Sequence, residues 1–149
     1  MTELALIGGE PEVQIPRPHF EWGRPARKYV DEVLDIVIPT HGCHPKDGSY
    51  AILVRNRVEA DEENKNLSAD DVAEKQMSTE TILERIIHEL FHHWKTGKHL
   101  DVSNWTLCSG SRYSGGHVPL ARWHGVRFAL DWTLLAYRSE HLRSRVAVG

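Results

Sequence analysis

The segment TILERIIHELFHHWKTG, residues 81–97, decides the fold of this chain. Its apolar residues recur at three- and four-residue spacing, which predicts an amphipathic helix. Thr81 followed by Glu84 forms a capping-box pattern at the start, with Ser78 as the alternative cap, and Gly97 suits the end. The stripe is wide enough for a core helix that is buried on more than one side. The apolar positions are Ile82, Leu83, Ile86, Ile87, Leu90, Phe91 and Trp94.

The segments that precede this helix carry weaker signals. Glycine and proline near the start favour extended chain, apolar residues at helical spacing favour a further helix, and alternation favours a strand. The predicted elements are, in order, an extended N-terminal arm over residues 1–18, a helix over about 25–38, a loop over 40–48, a strand over 49–58, and an acidic loop over 59–76 with one helical turn near 69–73.

The segments that follow the central helix predict a loop and then a second long helix. Residues 98–118 are polar and rich in serine and glycine, which is typical of a loop. Pro119 suits the first turn of a helix, and Leu120, Trp123 and Leu130 follow at helical spacing, so we expect that helix to reach about residue 143. The whole pattern predicts one α+β domain over residues 19–149, with a small sheet packed on the central helix and on a C-terminal helix.

Composition agrees with a single globular domain and excludes several classes of protein. The chain has 149 residues, of which 40% are hydrophobic, and its apolar runs are far shorter than a membrane span of about 20 residues. Two cysteines exclude a disulfide framework and a four-cysteine zinc ribbon. The acidic N-terminus lacks the pattern of a signal peptide, so we expect a cytoplasmic protein with no membrane partner.

Charge gives only weak support for a nucleic-acid partner. The net charge is −3, which supplies no general attraction to phosphate. Residues 112–149 carry six arginines against two acids, and a solvated surface explains this excess better than nucleic acid does. The sequence gives no indication of oligomeric state.

The central helix contains the pattern His-Glu-x-x-His at residues 88–92. His88 and His92 are four residues apart, so on a helix they lie on one face and can bind one zinc ion. Glu89 follows the first histidine and can act as the general base toward a water that Zn²⁺ activates. The neighbouring His93 points about 100° away around the helix from His92 and is not expected to be a ligand.

A zinc ion needs a third protein ligand, and the sequence leaves this choice open. Lys98 stands where a third histidine would complete the longer His-Glu-x-x-His-x-x-Gly-x-x-His pattern, so that pattern is excluded. Asp101, expected in an exposed loop, and Asp131, expected on the C-terminal helix, are carboxylate candidates. His117, which follows two glycines, and His124 are better candidates because imidazole is the more common zinc ligand.

Residues 78–92, the Ser/Gly-rich loop and the later His-Gly-x-x-Phe string at residues 124–128 together resemble the SprT-like metallopeptidases, the family that includes Spartan. The resemblance implies a zincin-like α+β fold, with His88 and His92 as zinc ligands, Glu89 as the catalytic residue and a histidine downstream as the third ligand. The His-Gly-x-x-Phe string favours His124 for that role, with His117 as the alternative. The cysteine-rich zinc ribbon that is common after such domains is absent from this sequence.

These observations predict a zinc-dependent peptidase acting on a protein or peptide substrate. Arg112 and Tyr113, in the loop before the candidate third ligands, are candidates to contact substrate or to stabilise the oxyanion of a tetrahedral intermediate. Two alternatives stay open: a binding or regulatory module that holds zinc without catalysis, and a zinc hydrolase of a non-peptide amide.

Overall fold

The computed structural model describes residues 2–6, 27–28, 38–42 and 48–149, and this part of the chain has an α+β fold. A short 3₁₀ turn, Glu62–Asn64, precedes the first of two α-helices. The helices are α1 (Ala69–Glu74) and α2 (Ile82–Thr96). The strands are β1 (Thr2–Leu6), β2 (Arg27–Lys28), β3 (Thr40–His41), β4 (Tyr50–Val54), β5 (Trp105–Leu107), β6 (Ser111–Arg112), β7 (Val118–His124), β8 (Arg127–Thr133), β9 (Leu142–Arg143) and β10 (Ala147–Val148).

Helix α2 begins and ends where the sequence predicts. The Thr81 hydroxyl accepts a hydrogen bond from the Glu84 backbone N–H, and the Glu84 carboxylate accepts one from the Thr81 N–H, so the capping box is confirmed. Gly97 forms the C-terminal cap with a left-handed backbone. Because both ends are fixed, the register of the side chains on α2 is fixed as well.

The strands form three sheets. The first has the order β1-β4-β10 and is antiparallel throughout. The second sheet has the order β2-β8-β7-β5-β9. In this sheet β7 pairs antiparallel with both β8 and β5. The outer strand β2 pairs parallel with β8, and the outer strand β9 pairs parallel with β5. The third is the two-stranded pair β3-β6.

The predicted C-terminal helix is wrong. Residues 118–133 form an antiparallel hairpin, β7–β8, in which His124 pairs with Arg127 across a two-residue turn. Gly125 begins that turn at φ 65°, a left-handed backbone that glycine adopts without strain. The Gly-Val pair between Trp123 and Phe128 was the signal for a hairpin.

Helix α2 packs against both larger sheets. Near its start, Ile82 lies in a core cluster with Phe128 and Leu130 of β8. On another face, Phe91 packs on Ile52 and Val54 of β4. The prediction of a helix buried on more than one side is therefore confirmed, although the Trp94 side chain is 80% exposed and lies outside the core.

Other predicted elements are confirmed in part or corrected. The strand predicted over 49–58 is β4, which ends at Val54, and the helical turn near 69–73 is α1. The loop predicted over 98–118 contains β5 and β6. Within the helix predicted over 25–38, residues 27–28 form strand β2, so the prediction is wrong there. Residues 29–37 of that predicted helix lie outside the described residues. Within the predicted arm, residues 2–6 pair with β4 as strand β1, and residues 7–18 lie outside the described residues.

No helix in the described part of the chain combines the length and the apolar character that crossing a membrane requires.

Candidate functional site

His88 is a buried histidine with one firmly held ring nitrogen. Its Nδ1 lies 2.7 Å from Oε1 of Glu80, which is also buried. With Glu80 ionised, its Oε1 can only accept, and Nδ1 of His88 is then the hydrogen-bond donor. The second nitrogen, Nε2, is then the lone-pair nitrogen that can bind a metal ion.

His92 lies one turn further along α2 and is half-buried. Its Nε2 is enclosed by protein and has no hydrogen-bond partner in the described part of the chain. Burial lowers the pKa of His92, and the neighbouring His88 lowers it further. A neutral imidazole with a buried, unpartnered nitrogen is suited to metal binding, because a metal ion satisfies the lone pair that the protein leaves unpaired.

The Glu89 carboxylate is buried and is held by three groups. Arg85 donates to Oε2 at 2.9 Å, His99 Nδ1 lies 2.8 Å from Oε1, and the Leu100 backbone N–H donates to the carboxylate at 3.2 Å. Burial opposes ionisation, but the Arg85 charge and the His99 hydrogen bond outweigh it and keep the pKa of Glu89 below its usual range. Glu89 is therefore ionised at neutral pH.

A buried network of charges extends from Glu89 through Arg85 to the C-terminal part of the chain. Arg85 also contacts Asp101, with a nitrogen–oxygen distance of 2.9 Å, and Arg145 contacts Asp101 at 2.7 Å. Thr106 donates to the same Asp101 carboxylate and accepts from Arg145. The two arginines keep the pKa of Asp101 below its usual range although burial opposes ionisation. This network ties α2, the loop after it and the segment before β10 together.

The loop after α2 is anchored by a stack of rings. The His99 ring lies 3.5 Å from the Trp123 ring between centroids, and the two planes differ by 3°. On its other side His99 stacks on His93 at 4.4 Å. The stack fixes His99 where its Nδ1 reaches Glu89, so the hairpin β7–β8 helps to hold the Glu89 carboxylate.

Within residues 2–6, 27–28, 38–42 and 48–149, the structure does not group a third ligand with His88 and His92. His124 is an exposed residue at the end of β7 rather than part of a helix, and the His117 ring packs on Trp132 at 4.3 Å. In the described ranges, no three histidine, cysteine, aspartate or glutamate side chains are grouped so that they could hold a metal ion. Thus His88 and His92 share one helix face, whereas the remaining candidates lie elsewhere.

The other predicted site residues have structural contacts. Asp101 is buried between two arginines instead of lying in an exposed loop, and Asp131 belongs to strand β8. Arg112 donates to the backbone carbonyls of Ser109 and Ser111. The Tyr113 hydroxyl faces the Asp131 carbonyl at 3.5 Å, and burial raises the pKa of Tyr113 to about 12, so its phenol is protonated at neutral pH.

A cavity of about 570 Å³ opens beside the N-terminal end of α2. Its lining includes Glu84, one helical turn before His88, together with Tyr50 of β4 and the backbone around Gly110. Burial raises the pKa of Glu84.

Sequence reasoning missed four residues that surround this site: Glu80, Arg85, His99 and Arg145. Arg85 had a local signal, because it stands four residues before Glu89 on a predicted helix, the spacing of a favourable ion pair. Glu80, His99 and Arg145 had none, because their contacts depend on how separate segments pack.

Comparison with known proteins found no matching family model, no matching curated protein and no matching solved structure. The resemblance to SprT-like metallopeptidases therefore stays a prediction from the sequence.

Proposed function

We propose that this chain is a zinc-dependent metallopeptidase with a zincin-like site on α2, in which His88 and His92 bind the metal ion. One observation carries the proposal. His88 and His92 lie one turn apart on α2. Nδ1 of His88 contacts Glu80, and Nε2 of His92 is buried without a hydrogen-bond partner in the described residues. A buried polar atom without a partner costs free energy, and a metal ion at this nitrogen would remove that cost.

The third ligand in this proposal is His124, with His117 as the alternative. Imidazole completes the three-ligand set that catalytic zinc sites use, leaving one position for water or substrate. Both residues belong to the β7–β8 hairpin or its approach, which packs beside α2 through Trp123. Binding at His124 requires the end of that hairpin to change its position relative to α2.

The chemistry that bound Zn²⁺ would supply is an activated water and a polarised substrate carbonyl. Glu89 acts as the general base: its carboxylate takes a proton and later gives it to the leaving amine. The lowered pKa keeps this carboxylate ionised, which is the form that accepts a proton, and makes it a weaker base than an unperturbed glutamate. Oε1, which is held by the half-buried His99, is the oxygen assigned to that role, and proton transfer there would displace the His99 hydrogen bond; Oε2 is paired with the fully buried Arg85.

The substrate in this proposal is a protein or peptide, and the cavity beside Glu84 offers space for one of its side chains. Tyr113 is the preferred candidate for stabilising the oxyanion, because its protonated hydroxyl can donate a hydrogen bond. Arg112 is the weaker candidate, since its guanidinium already serves two backbone carbonyls. A nucleic-acid partner has no further support from these contacts.

The direct test is metal analysis of the purified chain together with an assay on unfolded protein substrates. We expect about one zinc ion per chain and zinc-dependent cleavage of peptide bonds. Glu89→Gln should keep the metal and lose activity by at least about 100-fold, the lower range for general base catalysis. Near-normal turnover by this variant would exclude Glu89 as the base.

A second candidate function is a zinc-holding module without catalysis. It is favoured by the contacts of Glu89, whose two oxygens already accept hydrogen bonds from Arg85, His99 and Leu100. A carboxylate held in this way stabilises the fold and has little freedom to move a proton. Full zinc occupancy, with no cleavage of any unfolded protein and with a stability defect in Glu89→Gln, would establish this alternative. Turnover of a small amide without cleavage of proteins would instead favour a non-peptide hydrolase.

A cytoplasmic location belongs to the same proposal. Cys108 is a buried free thiol that takes part in no disulfide, and burial raises its pKa. This agrees with a reducing compartment.

A further inference from the structure

We propose that Glu80 is the positioning residue of the metal site: its carboxylate fixes the tautomer and orientation of His88 so that Nε2 is the atom presented to the metal ion. This inference rests on the proposed function and adds to it a residue outside the His-Glu-x-x-His motif. Glu80 lies before the helix cap, two residues upstream of α2, and would act only through His88.

The contact between the two side chains is short and enclosed. Oε1 of Glu80 lies 2.7 Å from Nδ1 of His88, and both side chains are at least 95% buried. In this enclosed position water cannot replace the carboxylate as the partner of Nδ1. A histidine that donates one ring N–H to a carboxylate is oriented by it and becomes a more basic ligand at the other nitrogen.

The backbone on either side holds Glu80 in place before any ligand binds. The Glu80 N–H donates to the Arg145 carbonyl at 3.0 Å, and the Glu80 carbonyl accepts from the Gly110 N–H at 3.2 Å. Gly110 is required for this approach, because a Cβ there would lie 2.8 Å from the Thr79 carbonyl oxygen. The carboxylate is thus attached to a fixed segment and acts as a preorganised support.

The charge of Glu80 is only partly compensated within the protein. Its Oε2 is buried and has no hydrogen-bond partner in the described part of the chain. Arg85 interacts with it electrostatically but is hydrogen-bonded to Glu89 and Asp101 instead. A carboxylate that serves stability alone usually has its hydrogen bonds satisfied. A cation bound to His88 would offset the remaining negative charge.

The test uses the full chain with Glu80→Gln, and Glu84→Gln is the matched control. Both residues are buried glutamates near the start of α2, but the Glu84 carboxylate completes the capping box with Thr81, whereas the Glu80 carboxylate contacts His88. Zinc affinity is measured by titration of the metal-free protein. Nitrogen-15 NMR of the same metal-free protein reports which ring nitrogen of His88 carries the proton.

We expect Glu80→Gln to weaken zinc binding by roughly 10–100-fold, the usual effect of removing such a support. Glu84→Gln should bind zinc as the wild type does. In the metal-free wild type, His88 should carry its proton on Nδ1. In Glu80→Gln the two tautomers should become mixed, because an amide can either accept from Nδ1 or donate to it.

The outcomes separate this inference from the proposed function. If the wild type binds zinc and Glu80→Gln binds it equally well, the role of Glu80 is overturned and the zinc peptidase proposal stays intact. The same holds if His88 of the metal-free wild type carries its proton on Nε2. A wild-type chain that binds no zinc would overturn the proposed function and, with it, this role. Equal weakening in Glu80→Gln and Glu84→Gln would mean that both variants act only through the fold.

Discussion

The Glu89 carboxylate and the Arg85 guanidinium lie 2.9 Å apart, one turn apart on α2, and both side chains are almost completely buried. Arg85 in turn contacts Asp101, which contacts Arg145. The proposed general base is therefore also part of the main buried charge network of the described fold. Substitutions at Glu89 must be read for stability as well as for activity.

Glu89→Gln should lower the free energy of unfolding by roughly 1.5–3 kcal/mol, the usual value of hydrogen bonds to charged groups. The loss is moderate because Arg85 keeps its contact with Asp101. Urea unfolding of the metal-free protein provides the measurement. Glu84→Gln is the control and should change stability by less, since burial already disfavours the charged form of Glu84 and a glutamine can still cap the helix. Equal losses in the two variants would contradict the assigned importance of the Arg85–Glu89 pair.

Asp101→Asn should destabilise the fold more strongly, by about 3–5 kcal/mol at neutral pH, because it leaves two buried arginines with less compensation. The effect should depend on pH in a defined direction. The pKa of Asp101 is lowered in the folded state, so its contribution is present above the ordinary value of about 4 and is lost as the pH falls through the folded-state pKa.

The melting temperature between pH 7 and pH 2 checks this sign. The wild type should lose stability on acidification, and Asp101→Asn should show a shallower fall because one of the responsible carboxylates is already absent. Glu84, whose pKa is raised, contributes in the opposite direction: its stabilisation is largest below its ordinary value and falls as the pH rises. If the melting temperatures of the wild type and of Asp101→Asn fall in parallel with pH, the stabilising role of Asp101 in the charge network is contradicted.

His88→Ala and His92→Ala should each lose zinc under conditions in which the wild type is fully loaded. His88→Ala should also destabilise the metal-free protein, because it leaves the buried Glu80 carboxylate without its hydrogen-bond donor. His92→Ala should affect the metal-free protein less, since its Nε2 has no partner to lose in the described residues. Elemental analysis measures the zinc content of each variant. Thermal melts of the zinc-loaded and metal-free proteins measure its stability. Unchanged zinc content in both variants would remove the metal site from α2.

The third ligand is tested by comparing His124→Ala with His117→Ala. We expect His124→Ala to weaken zinc binding by at least about 10-fold and His117→Ala to have the smaller effect. His124 is exposed, whereas the His117 ring packs against Trp132 in a tilted arrangement, so a melt of the metal-free protein separates ligation from packing. If only His117→Ala weakens zinc binding, His117 is the ligand. If neither does, the third ligand lies outside this pair.

The sequence by itself determined the central helix and the histidine pair on it. Each end of the helix is set by residues close to it in sequence. The Thr81–Glu84 capping box sets the start and Gly97 sets the end, so the sequence alone predicts both. The four-residue spacing of His88 and His92 then places both on one face. The Arg85–Glu89 ion pair likewise depends on a four-residue spacing within this helix.

Only the tertiary structure decided what surrounds that pair. Residues 118–133 satisfy helical spacing, yet they form a hairpin because pairing with β5 and burial of Leu120 and Phe128 outweigh local preference. Likewise, Glu80 meets His88, and Arg145 meets Asp101, through segments that only packing brings together. The attraction between such groups is strong only in the low-dielectric interior that forms when segments distant in sequence pack around them, and this cannot be read from spacing along the chain.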